Sequence, residues 1–201
     1  MSHDIVDRVQ ETKAELRAAI LSARRAAPTE VRRAENDALC KRLAGLARPG
    51  DVVCAYVPVS SEPGSLDMLD VLVQVGVTVL LPVARDDDSG TPLPLNWAPY
   101  RVGELVGAGF GLREPQAPWL PAEAISTAAM VVVPALAVDR RGVRLGRGAG
   151  FYDRSLPLAQ PDARLIAIVR DDELLDLIPG EPHDVPMTHA LTPGKGLVEL
   201  G

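Results

Sequence analysis

The chain has 201 residues, a formal charge of −6 and a hydrophobic fraction of 47%, with only 3% aromatic residues. That length suits a single α/β domain spanning residues 1–201, and the apolar content excludes a disordered chain. The acidic balance argues against a general binder of nucleic acid or anionic membranes, which needs a broad basic face, so any anionic ligand must be held by a local cluster.

In chain order, the N-terminus Met1-Ser2-His3-Asp4 is polar with no apolar run behind it. It reads as neither a secretory signal nor a membrane span, and a cytoplasmic address is expected. Val6, Val9, Leu16, Ile20 and Ala23 follow helical spacing over residues 6–26, with Pro28 marking the end. Lys13 stands on this stripe where an apolar residue is due, and Arg17 lies one turn further along the same side. A second helix is expected over 28–47, stopped by Arg48-Pro49-Gly50.

The period then changes to that of buried strands over 52–59 and 77–83, with a helix between them that Ser65 can cap and Gly76 can end. Further buried strands are expected over 130–134 and 165–169, with helices from about Phe151 and over 171–177. The sheet is expected to be mainly parallel with helices on both faces. Residues 85–121, broken by acids and prolines, read as an exposed, partly irregular excursion. Cys40 and Cys54 lack metal-ligand spacing and read as core thiols in a reducing compartment.

The densest chemical signal is Arg144-Leu145-Gly146-Arg147-Gly148-Ala149-Gly150-Phe151-Tyr152-Asp153-Arg154, between a buried strand and a helix. Alternate glycines let backbone N–H groups approach a ligand, and a helix N-terminus favours negative charge. The Gly-Lys-[Ser/Thr] ending of a P-loop is absent, and the glycine spacing is not that of a dinucleotide fingerprint. Arg144 and Arg147 add charge-assisted donors, and Asp153 beside them makes sense if magnesium lies between carboxylate and phosphate. The alternative is a flexible turn with Asp153 as a helix-start acid. Two arginines and an acid at this junction favour the ligand reading.

Three other positions are candidates. Lys13 and Arg17 could be an ordinary solvated pair, but an inward lysine must snorkel or meet an anion. Glu62 follows the first strand, where parallel sheets bind ligands, although most loop glutamates are simply solvated. In the proline-braced segment 179–187, His183 could be a base, although a lone loop histidine is usually just solvated, and Asp184 is the better candidate, as a second carboxylate near a metal.

In order and spacing these pieces resemble the 5-formyltetrahydrofolate cyclo-ligase family. The likeness rests on Lys13-Ala14-Glu15-Leu16-Arg17, on Glu62, on Gly109-Phe110-Gly111-Leu112-Arg113-Glu114-Pro115, on 144–154 and on Pro182-His183-Asp184, covering about 13–192. The resemblance implies a parallel-rich sheet flanked by helices and conversion of 5-formyltetrahydrofolate to 5,10-methenyltetrahydrofolate with ATP and magnesium. It implies that Lys13, Arg17, Arg144, Gly146, Arg147, Gly148, Ala149, Gly150, Phe151 and Tyr152 hold ATP, and that Asp153 and Asp184 hold Mg2+. Val57, Glu62, Phe110 and residues 147–151 would face the reduced folate, with Arg147 and Lys13 steadying the transferring phosphoryl group. Small molecules are the expected partners, with no nucleic acid or membrane, and a monomer is expected.

The chain departs from the family pattern at Pro63-Gly64-Ser65 after Glu62, and at Arg147, Ala149 and Phe151 where many relatives have Tyr, Gly and Tyr. The alternatives are a sugar-phosphate isomerase-like or acyl-transfer enzyme and a non-catalytic module sensing a phosphorylated metabolite.

Overall fold

The computed structural model describes residues 12–109, 112–180 and 184–201. Helix α1 (Lys13–Ala26) starts at a capping box: the Thr12 hydroxyl accepts from the Glu15 N–H, and the Glu15 carboxylate accepts from the Thr12 N–H at 2.8 Å. Helix α2 (Thr29–Ala44) follows and ends at Gly45, short of the Arg48-Pro49-Gly50 stop. Strand β1 (Val52–Cys54) leads to α3 (Asp67–Val75), which Gly76 closes with φ 91°, a left-handed conformation that glycine adopts without strain. Then come β2 (Thr78–Val83), β3 (Asn96–Pro99), β4 (Leu105–Gly107) and β5 (Arg113–Pro115). A 3-10 turn (Ala122–Thr127) precedes β6 (Met130–Pro134), β7 (Ala137–Asp139), β8 (Arg144–Leu145) and the short α4 (Phe151–Ser155). Strands β9 (Arg164–Ile168), β10 (Leu174–Leu175), β11 (His189–Thr192) and β12 (Gly196–Glu199) complete the described strands, with further 3-10 turns at Leu156–Leu158 and Asp171–Glu173.

Seven strands form the main sheet in the order β12-β11-β9-β6-β1-β2-β3. Its five inner strands run parallel, and β3 and β12 close the two edges antiparallel. The strand period of two sends Val132 to the face covered by α2 and α3, where it meets Leu39, Leu43, Leu69 and Leu72. Val131 and Val133 point the other way, into a second core with Trp97, Ile125 and Leu156 beneath the 3-10 turns and α4. Both cysteines are free and buried. Among the described residues no helix is long and apolar enough to cross a membrane.

Four expectations change. The pairing of β1 stops at Cys54, because the chain beyond it leaves the ladder to build a ligand-side loop. Residues 171–177 form a 3-10 turn (Asp171–Glu173) and the two-residue strand β10 rather than a helix, since Leu174 and Leu175 pair with β7. The 85–121 segment is not merely an excursion: β3 joins the sheet through β2 and fully buries Trp97. On α1, Ala23 faces solvent and the inward place is taken by Arg24, while Val6 and Val9 lie outside the described residues.

Candidate active site

The carboxyl ends of β1 and β6 open on one edge of the sheet, and the chain leaves each of them in a loop that carries candidate residues. After β6, the N–H of Leu136 donates to the Leu145 carbonyl at 2.8 Å, closing the β7–β8 hairpin that delivers the glycine block. The hairpin turn is organised by Asp139, fully buried, whose carboxylate accepts the N–H groups of Arg141, Val143 and Ile178 and the Arg141 guanidinium. Gly142 sits in the turn at φ +87° with the Met187 N–H donating to its carbonyl at 2.8 Å; a Cβ there would lie 2.4 Å from the Met187 carbonyl oxygen. Only glycine allows this approach, which brings the 184–187 loop against the hairpin.

A cavity of about 620 Å³ results, lined by Lys13 and Arg17 of α1, by Arg144, Gly146, Gly148, Gly150, Asp153 and Arg154, and by Asp184. Four cations and two carboxylates from three distant parts of the chain therefore share one opening. The Arg17 guanidinium donates through Nε to the Gly146 carbonyl at 2.9 Å, docking α1 on the glycine block. Lys13 Nζ lies 3.8 Å from the Asp184 carboxylate. Gly148 and Gly150 both take positive φ, and the latter ends the loop at α4. Because α4 is only five residues long, its dipole is small, and the positive field comes from side chains rather than from a helix terminus.

Arg144 is the centre of that field. Its side chain is 8% exposed, bonds Asp153 through Nη2 and lies 5.7 Å from the Tyr152 ring centroid. Its Nε and Nη1 are buried with no hydrogen-bond partner among the described residues. Burial depresses the guanidinium pKa, with the Asp153 charge opposing. Arg144 nevertheless lines the cavity, where a guanidinium offers charge-assisted hydrogen bonds suited to phosphate oxygens.

Beside the cavity, Glu62 accepts the Val59 N–H at 3.0 Å and lies 3.1 Å from Arg147 Nε, so two blocks distant in sequence meet. Burial raises the Glu62 pKa, opposed by the Val59 N–H and the Arg147 charge. The preceding Tyr56 hydroxyl donates to the Pro63 carbonyl at 2.6 Å and braces this loop, and Val57 packs against the α2–α3 core. Phe151 and Tyr152 pack against the opposite core, and desolvation raises the Tyr152 pKa; Ala149 is exposed. Phe110 and His183 lie outside the described residues.

Sequence reasoning missed Arg154, which sits four residues after Gly150 and donates to its carbonyl at 3.1 Å. It also missed the buried Arg24 and Asp139. Among the described residues no three candidate metal ligands cluster, so any metal here would draw on the Asp153 and Asp184 pair and on ligand oxygens.

A cationic cleft at the carboxyl edge of a parallel-rich sheet defines an α/β protein built to receive an anionic ligand. The chain belongs to the 5-formyltetrahydrofolate cyclo-ligase family, an enzyme family whose model matches residues 9–193. It is 61% identical over 189 residues to the 5-formyltetrahydrofolate cyclo-ligase of Mycolicibacterium smegmatis, covering 94% of this chain and 97% of that protein. It is 30% identical over 144 residues to the protein of the same name from Escherichia coli K12, covering 71% of this chain and 78% of that one. The fold is that of the 5,10-methenyltetrahydrofolate synthetase of Aquifex aeolicus (TM-score 0.73, 24% identity, 93% of this chain and 92% of that one). The synthetase of Mycoplasma pneumoniae shares it as well (TM-score 0.68, 18% identity, 88% and 96%).

Proposed function

We propose that this chain is a single-domain, monomeric cytoplasmic enzyme that converts 5-formyltetrahydrofolate to 5,10-methenyltetrahydrofolate with ATP and magnesium, releasing ADP and phosphate. Family membership supports the reaction class, and the observation that carries the ATP site is the convergence of Lys13, Arg17 and Arg144 with the glycine block on one cavity. Lys13, Arg17 and Arg144 then hold the phosphates, with the glycine block beneath them. Asp153 and Asp184 suit Mg2+, which takes hard oxygen ligands, often one or two carboxylates plus phosphate oxygens. When bound, that ion supplies neutralisation of phosphate charge.

The formyl oxygen is a poor leaving group until the γ-phosphoryl group is transferred to it and ADP departs. N10 then attacks the formyl carbon, loses its proton, and the C–O bond breaks to release phosphate. The protein's work is positioning and charge stabilisation. Glu62 orients the pterin, while Arg147 turns from Glu62 to the moving phosphoryl group. Family membership favours this reading over the isomerase-like and sensing alternatives. The test is methenyl-folate absorbance with purified protein: product is expected only when ATP and magnesium are both present, and its absence with all components overturns the reading.

Two variants probe the parts. Lys13→Met keeps the apolar stem and removes the charge. Its ligand-free melting temperature should match or exceed that of the parent, while the shift induced by magnesium-ATP shrinks, because that shift follows RT ln(1 + [L]/Kd). Equal shifts in both proteins remove Lys13 from the ATP site. Asp153→Asn and Asp184→Asn should each raise the magnesium concentration needed for half-maximal turnover. Asp153→Asn should also lower ligand-free stability, because Arg144 is buried beside it. Magnesium titrations that overlay the parent dismiss the shared site.

A further inference from the structure

Helix α1 meets the sheet with a face that is only half apolar. Lys13, Arg17 and Arg24 recur at helical spacing and share this face with Leu16 and Ile20. Two residues of the helix are buried, Ile20 and Arg24, and Arg24 is 1% exposed.

The Arg24 fork is committed to one arrangement. Its Nε and Nη2 donate to the two Glu173 carboxylate oxygens, each at 2.7 Å, and Nη2 also donates to the Ala135 carbonyl at 2.7 Å. Glu173, 5% exposed, also accepts the Arg170 N–H at 2.7 Å. Ala135 follows β6 and Glu173 follows β9, so the fork spans two neighbouring strand ends on the ligand edge. Leu136, next to Ala135, pairs with Leu145, and the next carbonyl, that of Gly146, receives Arg17. One helix is thus pinned at two points on the base of the hairpin that carries the glycine block.

We infer that the buried Arg24–Glu173 pair is a positioning device that sets where α1 lies along the strand ends, and so holds Lys13 and Arg17 at the cleft for the phosphates of ATP. The inference rests on the reading of the cleft as an ATP site. Apolar contacts such as those of Leu16 and Ile20 tolerate a slide of the helix, whereas a planar fork bonded to a carboxylate and a carbonyl does not. Stability alone does not call for the pair, since well-packed apolar residues often serve as well at a buried ion pair.

That difference gives the test. The double variant R24M/E173L replaces both charges by apolar groups of similar size, so its ligand-free melting temperature should fall less than that of either single variant, which leaves one charge buried alone. Its KM for ATP should rise by about tenfold or more, and Arg17→Met, with a comparable effect in the parent, should add less than about threefold in the double variant, because both changes act on one register. Multiplying effects, or an unchanged KM in R24M/E173L, overturn the positioning role. Should R24M/E173L fail to fold, Arg24→Lys, which keeps a cation without the fork, goes through the same cycle, where a raised KM with a muted Arg17→Met effect supports the role and either of the other results overturns it. A parent that turns over folate without ATP sinks the reading of the cleft itself and the inference with it.

Discussion

Replacing Arg147 by alanine is expected to lower kcat by about 10²–10³ while weakening ATP binding far less, the loss typical of one preorganised donor where charge develops. Arg147 is half exposed and is not among the residues lining the cavity proposed to hold the phosphates, which suits a group that acts mainly as the phosphoryl group moves. Its partner in the free protein is Glu62, and that pairing adds a second readout. Burial raises the Glu62 pKa and Arg147 helps to hold it down, so the variant should raise it further. An acid whose folded pKa is raised binds its proton more readily in the folded state. Its contribution to stability is present below the unfolded value and is lost as pH rises through the folded one. In Arg147→Ala this loss should extend to higher pH, and the acidic limb of kcat/KM should move up with it. A pH–rate profile and kcat both matching the parent would take Arg147 out of the mechanism.

Asp139→Ala should be the most damaging change remote from the ligand. The carboxylate is fully buried and accepts the N–H groups of Val143 and Ile178, which lie on the two arms leading to Arg144 and to Asp184. Leaving those donors unsatisfied is expected to cost roughly 2–5 kcal/mol. Urea denaturation should show the loss, and activity should fall even without denaturant, where the chain is folded, because the hairpin and the 184–187 loop are no longer clasped. Asp139→Asn, which keeps one acceptor oxygen, should recover part of both. Denaturation midpoints unchanged in the alanine variant would deny Asp139 this role.

The fold is largely legible in the sequence because buried parallel strands announce themselves as apolar runs: 130–134 coincides with β6, and Gly76 ends α3 as expected. What escapes is decided by tertiary pairing. Leu174 and Leu175 sit in a stretch with helical spacing, yet β7 offers them a ladder, and Trp97 hides in a proline-broken segment that β2 recruits as an edge. The cleft is legible where glycine, arginine and acid stand together, and Lys13 is legible because it interrupts an apolar stripe. Arg24 is not, because the stripe predicts Ala23 at that height and the carboxylate that makes a buried arginine tolerable lies far along the chain at Glu173. The meeting of Glu62 with Arg147 is implied by the family resemblance, which turns both toward the folate, but not by residue spacing, since it depends on how two loops leave β1 and β6.

The cleft joins Lys13, near one end of the described chain, to Asp184, near the other. A partly collapsed chain that has built α2, α3 and the β1–β2 pair already owns much of a core, but it owns no binding site, since bringing such distant segments together is among the costlier closures in chain entropy. A ligand seated there recognises only the finished molecule. On the proposed reading of the cleft, its stabilisation should be felt as slower escape from the native state, not faster arrival, so that a bound nucleotide would act as a kinetic lock on the assembled protein.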